Sequence, residues 1–130
     1  MVKKKTQAQN KKILWKLVSR FIRDRDKGVC FTCGATGLSG SNYHCGHFIK
    51  ASVGGLALYF NEDNLAGQCA RCNLWLDGNQ YEYGIKLGKK KVAELYKLKQ
   101  QITKDYPFQE KIDYYTARIK HIKPNEINKR

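Results

Sequence analysis

No apolar run in this chain approaches the ~18 residues needed to cross a bilayer. That excludes a helical membrane span. Acidic residues are scarce: eleven Asp and Glu against twenty-five Lys and Arg, a net charge of +14. A charge of that size excludes an ordinary neutral surface and points to polyanions, most often nucleic acid. Only two prolines interrupt 130 residues, and neither lies in a stretch long enough to act as a linker. The length suits one domain. The first twelve residues are polar and basic without an apolar segment, so they do not resemble a secretory signal. We therefore expect a soluble protein of the cytoplasm.

The charge is unevenly spread. Residues 1–27, 28–88 and 89–130 carry nets of +8, −1 and +7. The centre is nearly neutral and the flanks are basic, which suggests chemistry in the middle and phosphate grip at the sides. The expected contacts to phosphate are Lys16, Arg20, Arg23, Lys50, Arg71, Lys89, Lys90 and Lys91. We divide the chain accordingly. Residues 1–12 form a flexible basic arm. Residues 13–130 form one domain: an N-terminal helix to 27, a core over 28–88, and C-terminal helices beyond.

Periodicity fills in the elements. Leu14, Leu17, Val18, Phe21 and Ile22 recur at helical spacing and predict a helix over 13–25. Residues 42–49 and 56–60 read as short strands. On the first, Tyr43, Cys45 and His47 share one face, and His44 and Gly46 share the other. Asn73 starts or precedes a helix that Gly78 and Asn79 interrupt. A segment over 80–87 follows, stopped by Gly88. Val92, Leu95, Leu98 and Ile102 mark another helix. Ile112, Tyr115, Ile119 and Ile122 mark the last, which Pro124 ends. Trp15, Trp75, Tyr81 and Tyr83 fit packing in the core or around the cysteines better than base stacking.

Five cysteines cannot all pair as disulfides. Four of them form two Cys-x-x-Cys knuckles, Cys30 with Cys33 and Cys69 with Cys72. Two such knuckles can hold one tetrahedral zinc. A closed four-sulfur shell leaves no open position, so this zinc would be structural. Cys45 is the spare. The knuckles would also bring His47, Asn64 and Asn73 near one another.

The motifs are more specific than their spacing. Arg20-Phe-Ile-Arg-Asp-Arg-Asp, Cys30-x-x-Cys-Gly, Gly46-His-Phe-Ile, Phe60-Asn-Glu-Asp-Asn, Gln68-Cys-x-x-Cys-Asn and Gly78-Asn-x-x-Glu-Tyr resemble the phage NinG (Rap) recombination endonucleases, within the His-Asn-His nucleases. The resemblance runs over about residues 14–88. It implies an α+β fold: a small zinc-stapled ββα-metal core flanked by basic helices. It implies a Mg²⁺-dependent endonuclease, with Mn²⁺ as a substitute, acting on branched DNA such as Holliday junctions or D-loops. His47 would be the base for the attacking water. Asn73 would hold Mg²⁺, and Asn64 would fix the loop that aims His47. Asp77 and then Glu82 are the candidates for a further Mg²⁺ ligand. Gly46 departs from the pattern, because many such nucleases place Asp before the His. A homodimer would suit paired incisions. The alternative reading is a zinc-dependent nucleic-acid-binding module without catalysis.

Overall fold

A computed structural model describes residues 4–99 and 105–119. Ile102, Ile122 and Pro124, assigned above to helices or their ends, lie outside the described residues. The elements, in order, are α1 (Gln7–Asp26), β1 (Tyr43–His47), α2 (Ala51–Gly54), α3 (Leu56–Tyr59), β2 (Leu65–Cys69), α4 (Gln80–Leu87), α5 (Lys89–Lys99) and α6 (Phe108–Arg118). Short 3₁₀ turns at Gly40–Asn42 and Glu62–Asn64 lead into the strands, and a π-type turn at Arg71–Trp75 follows β2. This is an α+β chain with a small antiparallel sheet. No described helix is long and apolar enough to cross a membrane.

The described residues gather into two compact units, one from 4–21 and 107–119 and one from 22–99 with 105 and 106. The divisions drawn from charge at 27 and 88 do not coincide with them. In the first unit, α1 begins earlier than its apolar period suggests. Thr6 Oγ1 accepts from Gln9 N–H at 3.1 Å, and Gln9 Oε1 accepts from Thr6 N–H at 2.9 Å. That reciprocal pair is a capping box, so residues 7–12 are helical, not a free arm. Leu14, Leu17 and Val18 are fully buried, as are Phe108, Ile112, Tyr115 and Ile119 to within a few per cent. Phe21 meets Tyr115 edge to face at 5.2 Å.

In the second unit, β1 pairs antiparallel with β2, with His44 opposite Gln68, Cys45 opposite Gly67 and Gly46 opposite Ala66. Residues 56–60 are therefore not the second strand. That run is short, apolar and rich in Leu and Ala, so its pattern fits a buried helical turn as well as a strand. Gly55, at φ 74°, separates α2 from α3, and Leu58 is buried against Phe48, Ile49, Ala66, Tyr83 and Leu95. The strand role falls to Leu-Ala-Gly-Gln-Cys, buried on both faces. A side chain at 67 would lie 2.7 Å from the Tyr43 ring, so glycine lets that ring cross β2.

The end of α1 is stitched to β2 by charge. Asp26 Oδ2 accepts from Gly67 N–H at 2.7 Å, while Arg25 pairs with Asp26 and donates to the Leu65 carbonyl at 2.9 Å. Tyr83 is wholly buried, but Trp75 and Tyr81 are 83% and 75% exposed, contrary to the packing expected of them.

Candidate metal centre and the site beside it

The first knuckle turns at Gly34, whose φ is 81°. Gly34 N–H donates to the Cys30 carbonyl at 2.9 Å. The second knuckle spans the end of β2 and the π-type turn. The sulfurs of Cys30, Cys33, Cys69 and Cys72 all lie within 4.8 Å of one another. Cys33 and Cys69 are 3.8 Å apart, which is the edge of a tetrahedron with ~2.3 Å zinc–sulfur bonds.

Electrostatics supports an ion here. Burial pushes the Cys30 thiol up, but hydrogen bonds from Thr32 and nearby backbone N–H groups outweigh it and bring it down to about 6. Ala35 N–H favours the Cys33 thiolate, yet burial and the three neighbouring sulfurs push it up to about 12. Burial also raises Cys72. Like charges this close cannot all ionise without a cation between them. The donor set fits zinc. Cys45 stands apart, its thiol pushed up to about 12 by burial.

Donors surround the sulfurs. Thr32 Oγ1 lies 3.3 Å from Cys30 Sγ, Cys72 N–H donates to Cys69 Sγ at 3.4 Å, and Asn79 Nδ2 donates to Cys72 Sγ at 3.6 Å. Thr32 Oγ1 also accepts from Gln68 Nε2 at 3.1 Å, and Gln68 Nε2 donates again to the Gly78 carbonyl at 2.9 Å. A carbonyl partner fixes which end of the Gln68 amide is nitrogen. Its oxygen therefore points away, toward Gly46. Among the described residues, Gln68 Oε1 is the buried side-chain polar atom without a hydrogen-bond partner.

Asn73 sits in the π-type turn. Its Nδ2 donates to His44 Nδ1 at 2.9 Å, and His44 Nε2–H donates to the Ser41 carbonyl at 2.8 Å. Asn73 thus faces His44 and Gly46, on one side of β1. His47 is on the other side. Its Nε2–H donates to the Tyr59 carbonyl at 3.0 Å, and the two rings lie 4.8 Å apart. Alternation along β1 makes His44, rather than His47, the histidine that is hydrogen-bonded to Asn73.

Asn64 is fully buried. Its Oδ1 accepts from Ile49 N–H at 2.7 Å, and its Nδ2 donates to the carbonyls of Ile49 and Leu58, each at 3.0 Å. It clamps both ends of the α2–α3 segment, the segment that delivers the Tyr59 carbonyl to His47. Tyr83 Oη donates to the Gly46 carbonyl at 2.9 Å and supports the same strand from below.

Asp77 and Glu82 do not join this group. Asp77, Gly78 and Asn79 all have positive φ, so the helical turn ends at Leu76. The shared helical face that favoured Asp77 does not form. Its carboxylate pairs with Lys50. Glu82 is exposed on the first turn of α4. Of the expected phosphate contacts, Lys16 and Arg20 belong to the first unit, and Arg23, Lys50, Arg71 and Lys89 to Lys91 to the second. Lys91 pairs with Asp63 at 3.2 Å. Exposed pairs like these contribute little, about 0–1 kcal/mol, and exchange readily for phosphate.

His44 and Gln68 were not among the candidates. Their signal is register: they face each other across the two strands, which is visible only once residues 65–69 are paired with 43–47.

These features define a small α+β protein with a four-cysteine cluster that could hold zinc, next to a half-buried cluster of amide and imidazole groups. The family model described as Bacteriophage Lambda NinG protein matches residues 1–126, and the chain belongs to that family. No curated protein and no solved structure matches it.

Proposed function

We propose that this protein is a metal-dependent, structure-specific DNA endonuclease that acts on branched recombination intermediates, Holliday junctions and D-loops among them. In this reading β1, β2 and the helical turn after them form a ββα-metal core held by zinc. The observation that carries it is the setting of His47. Because Nε2–H donates to a backbone carbonyl, the neutral ring has its basic lone pair on Nδ1, the state needed to take a proton from water. Asn64 holds the segment that enforces this tautomer. His44, by contrast, serves in positioning: Nδ1 accepts from Asn73 and Nε2–H donates to the Ser41 carbonyl. The chemistry supplied by a bound Mg²⁺ or Mn²⁺ is neutralisation of charge on the phosphate and the departing 3′ oxygen. The net charge of +14 supports DNA as the partner, and family membership supports a role in phage recombination.

The test is His47→Ala on a four-way junction with Mg²⁺. Zinc content and junction binding should persist and cleavage should vanish. A variant that cuts as well as the parent refutes His47 as base. Affinity should also fall with salt, at a slope of about −0.9 per phosphate neutralised. One observation favours the alternative, a zinc-dependent nucleic-acid-binding module. Among the described residues, the four cysteines are the metal-competent cluster of Cys, His, Asp and Glu, so no carboxylate cluster accompanies Asn73. That reading predicts tight, salt-sensitive binding and no cleavage by the parent.

A further inference from the structure

The glycine before His47 needs an explanation. Gly46 has no positive φ, so backbone conformation does not demand it. Space does. A Cβ built at 46 would lie 1.8 Å from Gln68 Oε1 and 3.0 Å from Asn73 Oδ1. The volume that a side chain at 46 would enter is already taken, from the opposite strand, by an amide oxygen. That oxygen is buried, its orientation is fixed by the two hydrogen bonds of its own nitrogen, and it lacks a partner. Asn73 is fixed in the same way: its nitrogen is spent on His44, which turns Oδ1 toward the same place. The two oxygens are less than about 5 Å apart, a gap that one cation with 2.0–2.6 Å bonds can bridge.

We propose that Gln68 Oε1 and Asn73 Oδ1 together hold the divalent cation, with Gln68 arriving across the sheet to replace the carboxylate that a residue at 46 would supply. This deepens the endonuclease reading and rests on it. The donors are hard and neutral, so they select Mg²⁺ or Mn²⁺ over zinc, which the thiolates take. His44 is a positioning residue: it sets the Asn73 amide and does not itself need to touch the ion.

The experiment uses the zinc-loaded full chain, labelled with ¹⁵N, and Mn²⁺ as the probe. Substoichiometric Mn²⁺ should broaden the side-chain amide signals of Gln68 and Asn73 before that of Asn61. Binding measured by the loss of free Mn²⁺ signal should weaken at least about tenfold in Gln68→Met. The swap Gly46→Asp with Gln68→Ala should restore binding relative to Gln68→Ala alone, because it removes the obstructing amide and returns an oxygen from the other strand. Mn²⁺ that leaves the Gln68 signal sharp overturns the proposal, as does a swap that binds no better than the single variant. Junction cleavage separates the two readings. Cleavage with a sharp Gln68 signal sinks the cation site alone. Broadening without cleavage sinks the endonuclease reading alone.

Discussion

Removing the Asn64 amide should loosen the segment around His47 before it disturbs the zinc. Asn64→Ala abolishes three hydrogen bonds, of 2.7, 3.0 and 3.0 Å. Each is worth a net ~0.5–1.5 kcal/mol, and the stranded Ile49 N–H is buried, so the loss is roughly 3 kcal/mol. Against a total stability of ~5–15 kcal/mol that is a large fraction. At this chain length it lowers Tm by roughly 10 °C. The assay is thermal unfolding at a fixed free zinc concentration, because bound metal adds its own mass-action stabilisation. Asn64→Asp separates hydrogen bonding from volume. It keeps an oxygen for Ile49 N–H but turns a second oxygen on the Ile49 and Leu58 carbonyls, so it should be no more stable than the alanine variant. Zinc stoichiometry should stay at that of the parent in both, since Asn64 bonds no cysteine. If Asn64→Ala unfolds within about 1 kcal/mol of the parent, the clamp is not what holds this segment.

Further outcomes follow from the same geometry. Zinc affinity should fall as pH drops from 8 to 6, because the folded cluster binds metal as thiolates. Cys33 and Cys72, raised by burial and neighbouring sulfurs, must each release a proton, and chelator competition across that range measures the slope; a flat profile would refute thiolate ligation. Cys72→Ser should lose zinc and fold, whereas Cys45→Ala should retain a full zinc complement by direct metal analysis. Asp26→Ala strands the Gly67 N–H and should cost about 1–3 kcal/mol in denaturant unfolding. Thr6→Ala should cost about 1 kcal/mol, seen as faster amide exchange confined to the first turn of α1.

Features set by local spacing were legible in the sequence. The apolar stripe of α1, the two knuckles, and the break at Gly78 and Asn79 depend only on neighbours a few residues apart. Features set by pairing were not. The run over 56–60 is too short for its pattern to distinguish strand from helix, and assigning it as a strand hid the true partner of β1. With the partner hidden, nothing could place His44 opposite Gln68 or explain Gly46. The start of α1 was readable in principle from Thr6-x-x-Gln9, but the apolar period begins only at residue 13 and drew the boundary there. Asp77 failed for a different reason: its ranking assumed an unbroken helix, and three consecutive left-handed residues end that turn first.

The partner that orients the His47 ring is a main-chain oxygen, and that has an evolutionary consequence. No substitution at position 59 can delete it, even one that removes the ring packed on His47. What cannot drift is the count of residues from 50 to 58. One inserted or lost amino acid would carry that oxygen past the ring while leaving every named motif intact. Homologues should therefore hold the length of this segment whatever substitutions they carry at its exposed positions.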